Sequence, residues 1–101
     1  MNTVYSKHGV PIRLSANRWL HIVEQHDDVA GYYDTILDAI ESPDAIVQGK
    51  TGELLALKII DGRTLVVVYK ETSRSDGFVI TAFFTTEPRR ITKRGMIWPK
   101  Q

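Results

Sequence analysis

Apolar residues in the first part of the chain recur at the spacing of an α-helix. The spacing begins after Ser15 and brings Trp19, Leu20 and Val23 close together around the helix axis. Serine is a preferred N-cap residue, because its hydroxyl accepts a hydrogen bond from a free backbone N–H of the first turn. The pattern therefore predicts a first helix that is capped by Ser15 and runs to about His26.

A second helix is predicted directly after the first. Asp27 and Asp28 interrupt the pattern and can cap a new helix, and Ser42-Pro43-Asp44 ends it. Between these limits, four apolar residues fall on one helical face, namely Tyr33, Ile36, Leu37 and Ile40. Residues 15–42 are therefore expected to hold two helices.

After Asp44 the pattern changes from helical to extended. Turn-forming residues separate four segments rich in β-branched, aromatic and other apolar residues, at 45–48, 53–60, 64–70 and 78–85. Short turns between successive strands favour an antiparallel meander. The sequence predicts an α+β fold, in which two N-terminal helices pack on a four-stranded antiparallel β-sheet over residues 45–85.

The dipeptide Asp61-Gly62 sets the register of the central hairpin. Asp-Gly between apolar strands favours a type I′ turn, because that turn needs a positive φ at both central residues. With these two residues as the loop, Lys58 faces Leu65 and Leu54 faces Tyr69.

Side-chain alternation then divides the sheet into two faces. One is unbroken hydrocarbon and is expected to carry the helices; it holds Leu55, Leu57, Ile59, Val66 and Val68. The other contains Lys58 and Tyr69 and is expected to stay open. The row Thr81, Phe83 and Thr85 is expected beside them, because the alternating row of that strand is entirely apolar.

Composition fits one ordinary globular domain. The chain has 101 residues, of which 43% are hydrophobic and 25% charged. The net charge is only +1, so total charge does not indicate nucleic-acid binding, but basic residues concentrate near the C-terminus. Residues 1–14 are expected to be an extended lead-in, and residues 86–101 a basic tail that Trp98 docks on the body.

The absence of certain residue types and segments narrows the chemistry. Cysteine does not occur, which excludes disulfides, thiolate metal sites and cysteine nucleophiles. The N-terminal residues lack the apolar run of a signal peptide, and no stretch has the length and apolarity of a membrane helix. We expect a cytoplasmic protein without a membrane partner.

Two histidines on the predicted first helix are candidates for proton transfer. His21 and His26 lie ~140° apart at ~100° per residue, and no third ligand accompanies them, so we expect neither a metal nor another cofactor. A structural interpretation is also open: His26 would then stabilise the helix end, and His21 would be a solvated surface residue.

Basic side chains supply a second set of candidates. Lys58 interrupts an apolar strand and needs water, a carboxylate or a bound anion, unless it protects a sheet edge. The run Arg89, Arg90, Lys93 and Arg94 is either a solvated tail or a strip that contacts phosphates without reading sequence.

Several motifs, taken in order, resemble the barnase/EndoU/colicin/RelE-like nucleases, and most closely their small phage- and toxin-associated branches. They are Arg-Trp-x-His-Ile-x-x-x-His from Arg18, Pro-Asp-x-Ile from Pro43, Gly-Glu-x-x-Ala-x-Lys from Gly52, Leu-Val-Val-Val-Tyr from Leu65 and Asp-Gly-Phe-Val-Ile-Thr-Ala-Phe from Asp76. The likeness covers residues 18–85, most of the chain. It implies two helices packed on a four-stranded antiparallel sheet.

The resemblance also implies a ribonuclease, and often a toxin neutralised by an antitoxin protein. On this hypothesis RNA is cleaved without a metal, by attack of the 2′-hydroxyl on the adjacent phosphate. The expected catalytic residues are His21, His26, Lys58, Tyr69 and Thr81, and phosphate would be bound by Arg18, Arg89, Arg90, Lys93 and Arg94. The open alternatives are a non-catalytic module that binds protein or RNA, and a structural subunit of an oligomer.

Overall fold

A computed structural model describes residues 2–99, so Met1, Lys100 and Gln101, at the ends of the predicted lead-in and tail, lie outside it. The helices are α1 (Ala16–Gln25), α2 (Tyr33–Glu41) and the short α3 (Arg89–Thr92). The strands are β1 (Thr3–Tyr5), β2 (Pro11–Arg13), β3 (Ala45–Gln48), β4 (Leu54–Ile60), β5 (Arg63–Ser73), β6 (Asp76–Thr85) and β7 (Met96–Trp98). No helix in this range is long and apolar enough to cross a membrane.

The first helix forms as its sequence predicts. The Ser15 hydroxyl accepts a hydrogen bond from the Arg18 backbone N–H at 3.1 Å, and Ile22 is buried against the sheet. The second helix starts later than expected. Asp27 and Asp28 begin a 3₁₀ helix, Asp27–Val29, and α2 follows only from Tyr33.

The predicted four-stranded meander is wrong, because the sheet has seven strands in the order β1-β2-β6-β5-β4-β3-β7 and is mixed. The four expected strands correspond to β3 to β6. The additional strands have three residues each, and β2 lies parallel to β6 through the pair Arg13 and Phe78. Three residues are too few for alternation to show, and a parallel partner distant in sequence leaves no hairpin signal.

The central hairpin has the predicted register. Asp61 has a φ of 50° and Gly62 a φ of 81°, which are the positive values that a type I′ turn requires. Lys58 pairs with Leu65 and Leu54 with Tyr69. This prediction is confirmed.

The helices pack on the face opposite to the one predicted. The main core joins Ile22, Ile36 and Ile40 of the helices to the sheet residues Ala56, Leu65, Val67 and Tyr69. The face containing Lys58 and Tyr69 is therefore the covered one, and its assignment as the open face is wrong. Both faces are rich in apolar residues, so alternation separated them correctly but could not identify the one that the helices cover.

The second face is apolar because the C-terminal segment covers part of it. Ile91 of α3 packs with a group of sheet residues, namely Val47, Leu55, Leu57 and Val66. β7 then extends the sheet beyond β3, with Trp98 paired to Ile46. The part of this face on β5 and β6 stays accessible beside α3, and we call it the open face.

Candidate active site

The threonine row of β6 lies on the open face. Thr81 pairs with Val68 and Phe83 pairs with Val66, whereas Tyr69 pairs with Val79 on the helix-covered face. The prediction that placed Thr81 beside Lys58 and Tyr69 is wrong. A bulge between these pairs leaves Ile80 as an extra residue in β6. With strict alternation from Phe78, Thr81 would lie on the same face as Tyr69. The extra residue reverses that assignment.

A cleft of about 280 Å³ opens between this face and the C-terminal segment. We call it the Phe83 cleft, and its walls are formed by Lys50, Glu53, Leu55, Val68, Phe83 and Arg94. Val68 and Phe83 form an apolar floor, and Lys50 and Arg94 are exposed cations at its margin. Such a combination can hold an anionic group beside an aromatic surface.

Glu53 is the carboxylate of the Phe83 cleft, and its environment keeps it ionised. One oxygen accepts a hydrogen bond from the Thr51 backbone N–H at 2.8 Å and the other from the Thr51 hydroxyl at 2.9 Å. These hydrogen bonds hold the pKa of Glu53 below its usual value, and the charge of nearby Lys70 adds to the effect. A carboxylate held in this way orients its neighbours and is a weak proton acceptor.

His26 packs beside Phe83, one of the residues that line the Phe83 cleft, although His26 is not itself among them. It follows the last residue of α1, where its backbone N–H donates to the Ile22 carbonyl at 2.8 Å. The imidazole ring lies 5.9 Å from the Phe83 ring, measured between centroids. Among the described residues β2 pairs with β6 only at Phe78, so β2 does not pair with β6 at Phe83. The imidazole of His26 therefore packs on a residue of the cleft wall.

The other predicted catalytic side chains do not lie at this cleft. His21 is exposed on α1, and no hydrogen bond or ion pair within residues 2–99 joins it to Lys58 or Tyr69. The Lys58 ammonium is 3.1 Å from an Asp38 carboxylate oxygen and donates to the Ser42 carbonyl at 2.7 Å. Lys58 therefore holds the end of α2 to β4.

Two buried hydroxyls lack a hydrogen-bond partner within residues 2–99, and they belong to Tyr69 and Thr81. Tyr69 is fully buried beneath the helices, and this burial, with a smaller effect from the Glu71 charge, raises the pKa of its phenol far above its usual value. Thr81 faces the opposite way, onto the open face beside Val68. Its oxygen is buried too, and Thr81 is not among the residues that line the Phe83 cleft.

The predicted phosphate-binding residues are spread over several places. Arg94 lines the Phe83 cleft, whereas Arg89 and Lys93 are exposed on and after α3. Arg90 pairs with Glu87 at 2.7 Å. Arg18 lies in a separate pocket near the start of α1.

The sequence patterns did not identify four residues of this region as site residues, namely Lys50, Glu53, Lys70 and Phe83. Phe83 belongs to the threonine row of its strand, and Lys50 and Glu53 stand at a turn that marks a strand boundary. A signal was present, because the predicted register places Glu53 opposite Lys70 on the strand face that includes Val68. Assigning that face to the exterior would have identified the pair.

The model of a family described as phage-Barnase-EndoU-ColicinE5/D-RelE like nuclease2 matches residues 2–98. No curated protein and no solved structure matches the chain. Among residues 2–99, no group of three or more His, Cys, Asp or Glu side chains is placed to hold a metal ion.

Proposed function

The chain belongs to the phage barnase, EndoU, colicin E5/D and RelE-like nuclease family, and from this premise we propose that it is a ribonuclease that cleaves RNA in the Phe83 cleft. The observation that carries the proposal is the imidazole of His26 beside Phe83, with Arg94 and Lys50 at the cleft margin. An imidazole can transfer protons at neutral pH, and the two cations can hold a phosphate next to it.

The proposed reaction uses the RNA, water and these side chains. The 2′-oxygen attacks the neighbouring phosphorus, and the bond from phosphorus to the 5′-oxygen breaks. His26 accepts the proton of the 2′-hydroxyl, and water protonates the departing 5′-oxygen. The hydroxide that remains takes the proton back from His26, which restores the neutral imidazole. The products carry a 2′,3′-cyclic phosphate and a 5′-hydroxyl. Arg94 and Lys50 stabilise the charge that develops on the phosphate oxygens.

Product analysis tests this mechanism directly. Purified protein is incubated with a synthetic RNA oligonucleotide in the presence of EDTA, and the ends are identified by mass spectrometry. We expect a 2′,3′-cyclic phosphate and a 5′-hydroxyl, and no cleavage of the same sequence with 2′-O-methyl groups. Cleavage of the 2′-O-methyl oligonucleotide would rule out attack by the 2′-oxygen.

We further propose that the nuclease acts as a toxin restrained by an antitoxin protein. The family membership supports this role, because an uninhibited ribonuclease would degrade the RNA of the cell that makes it. Induced expression, followed by sequencing of RNA ends, should give growth arrest with new cleavage sites. Expression of the His26→Ala variant is the control, and equal arrest by both proteins would contradict the proposal.

A non-catalytic RNA-binding module is the second candidate function. It is favoured by one observation, that His21, Lys58 and Tyr69 share no cleft, since Tyr69 is buried and Lys58 is paired with Asp38. This function predicts RNA binding through Arg94 and Lys50 without any change in RNA length. The product analysis above distinguishes the two functions.

A further inference from the structure

A second pocket lies at the edge of β6 that pairs with β2, away from the Phe83 cleft. We call it the Phe78 pocket, and it has a volume of about 200 Å³ and is lined by Arg13, Ser15, Arg18, Phe78 and Val79. Two arginines beside a partly exposed phenyl ring are the side chains that bind a nucleotide through its phosphate and its base. Neither Arg13 nor Phe78 has a role in the proposed reaction.

The two arginines of the Phe78 pocket differ in how far their guanidinium groups are available to bind a ligand. Among residues 2–99, no carboxylate pairs with Arg18, whose side chain is exposed. Arg13 is paired with Asp76, with 3.0 Å between Nη2 and Oδ1, and its Nε donates to the same oxygen at 3.2 Å. The pair leaves Nη1 of Arg13 free for another acceptor. Arg18 is therefore the main anion-binding group, and Asp76 orients Arg13.

The sheet register connects the two sites. Lys70 pairs with Phe78, and Phe78 pairs with Arg13, so these three side chains cross β5, β6 and β2 in one row. At the other end of the row, Lys70 lies close enough to Glu53 of the Phe83 cleft to lower its pKa. Three strand spacings separate β4 from β2, a distance of about 14 Å. No described carboxylate pairs with Lys70 within salt-bridge distance.

From this arrangement we infer that the Phe78 pocket is an RNA-binding subsite, which holds an unpaired nucleotide beyond the scissile bond while Lys70 contacts the intervening phosphate. The inference rests on the proposed function. Phe78 and Phe83 can stack only on bases that are free of a partner strand, because an A-form duplex keeps its bases stacked inside the helix. The substrate is accordingly a single-stranded RNA segment of about four or more nucleotides, the lower end of site sizes for such platforms.

Binding to uncleavable RNA tests the subsite independently of catalysis. Fluorescence anisotropy is measured with a 2′-O-methyl octanucleotide and with a 2′-O-methyl dinucleotide, for the wild type, Arg18→Ala and Phe78→Leu. Both variants should bind the octanucleotide at least about fivefold more weakly than the wild type does. Both should bind the dinucleotide as tightly as the wild type does. For Arg18→Ala, the slope of log affinity against log salt should fall by about 0.7. A hairpin duplex of the same composition should bind the wild type more weakly than the octanucleotide.

Arg74→Ala is the matched control, because Arg74 is an exposed arginine in the β5–β6 turn that lines neither site. Thermal melting of each variant establishes that it is folded. Unchanged octanucleotide affinity in folded Arg18→Ala and Phe78→Leu would overturn the subsite. If the wild type binds the octanucleotide as predicted but cleaves no unmodified RNA, the ribonuclease proposal fails and the subsite stands.

Discussion

The imidazole of His26 lies 5.9 Å from the phenyl ring of Phe83, although α1 covers one face of the sheet and Phe83 lines a cleft on the other. His26 directly follows α1, and its backbone N–H donates to the Ile22 carbonyl at 2.8 Å. Because Ile22 is part of the core beneath the helices, the end of α1 positions the imidazole beside Phe83.

Replacing His26 by alanine should therefore reduce RNA cleavage by about 10²- to 10⁴-fold, the usual contribution of a positioned proton-transfer group. His21→Ala is the matched comparison, since His21 is an exposed histidine on the same helix. Initial cleavage rates on one RNA oligonucleotide, with contaminating nuclease excluded by a mock purification, provide the measurement. A large loss in His21→Ala and none in His26→Ala would transfer the catalytic role to His21.

Local sequence signals predicted the parts of the fold that depend on neighbouring residues. Ser15 caps α1 and Asp61-Gly62 forms the central turn, because each preference acts over a few residues. The β2–β6 pairing and the docking of Ile91 depend on residues far apart in the chain, and no local pattern encodes them. Family resemblance identified the nuclease correctly, but its implied four-stranded sheet omitted three strands.

The candidate site was harder to predict than the fold because it depends on which face of the sheet is covered. Lys58 in an apolar strand needs water, a carboxylate or a bound anion, and the structure supplies the carboxylate of Asp38 on the helix above it. The β6 bulge then shifted Thr81 to the opposite face from Tyr69. The residue types are compatible with a site, and only the three-dimensional arrangement separates Lys58 and Tyr69 from Thr81.

Lys58→Met should destabilise the fold without slowing the chemistry. The variant loses the ion pair with Asp38 and the hydrogen bond to the Ser42 carbonyl, both partly exposed, so we expect the free energy of unfolding to fall by about 1 kcal/mol. Urea denaturation measures this change, and cleavage rates are compared per folded molecule.

Lys70→Met is the control for Lys58→Met and should behave in the opposite way. Lys70 pairs with no carboxylate among residues 2–99 and lies on the open face, so its loss should reduce cleavage by about tenfold and leave stability nearly unchanged. If the cleavage defect appeared in Lys58→Met instead, the assignment of the open face to substrate would be incorrect.

Tyr69→Phe should be at least as stable as the wild type and equally active. The phenol has no hydrogen-bond partner among the described residues, so removing its oxygen relieves an unsatisfied buried group, with an expected gain of about 1 kcal/mol. Chemical denaturation and cleavage rates at neutral pH test both parts. A loss of activity by 100-fold or more, on the scale of general catalysis, would restore Tyr69 as a catalytic residue.

The same variant should change the response to alkaline pH. Burial raises the pKa of Tyr69 in the folded protein, whereas an unfolded tyrosine ionises near ~10. Above that pH the unfolded state binds fewer protons than the folded state, so the free energy of unfolding of the wild type falls as pH rises. Tyr69→Phe lacks this component, and its urea midpoint should fall less between pH ~9 and ~11. Equal decreases in both proteins would contradict the assigned burial.

Thr81→Val should resemble Tyr69→Phe. The Thr81 hydroxyl is also buried and without a partner in the described residues, and Thr81 is not among the residues that line the Phe83 cleft. Valine keeps the shape and removes the unsatisfied hydroxyl, so stability should be unchanged or raised by about 1 kcal/mol while the cleavage rate stays the same. Thr81→Ser keeps the hydroxyl and loses a methyl group, so it should be less stable than the wild type by about 1 kcal/mol. Initial rates and urea midpoints for the three proteins provide the test: a loss of cleavage by about 100-fold or more in Thr81→Val, with activity kept in Thr81→Ser, would show that the hydroxyl takes part in the reaction.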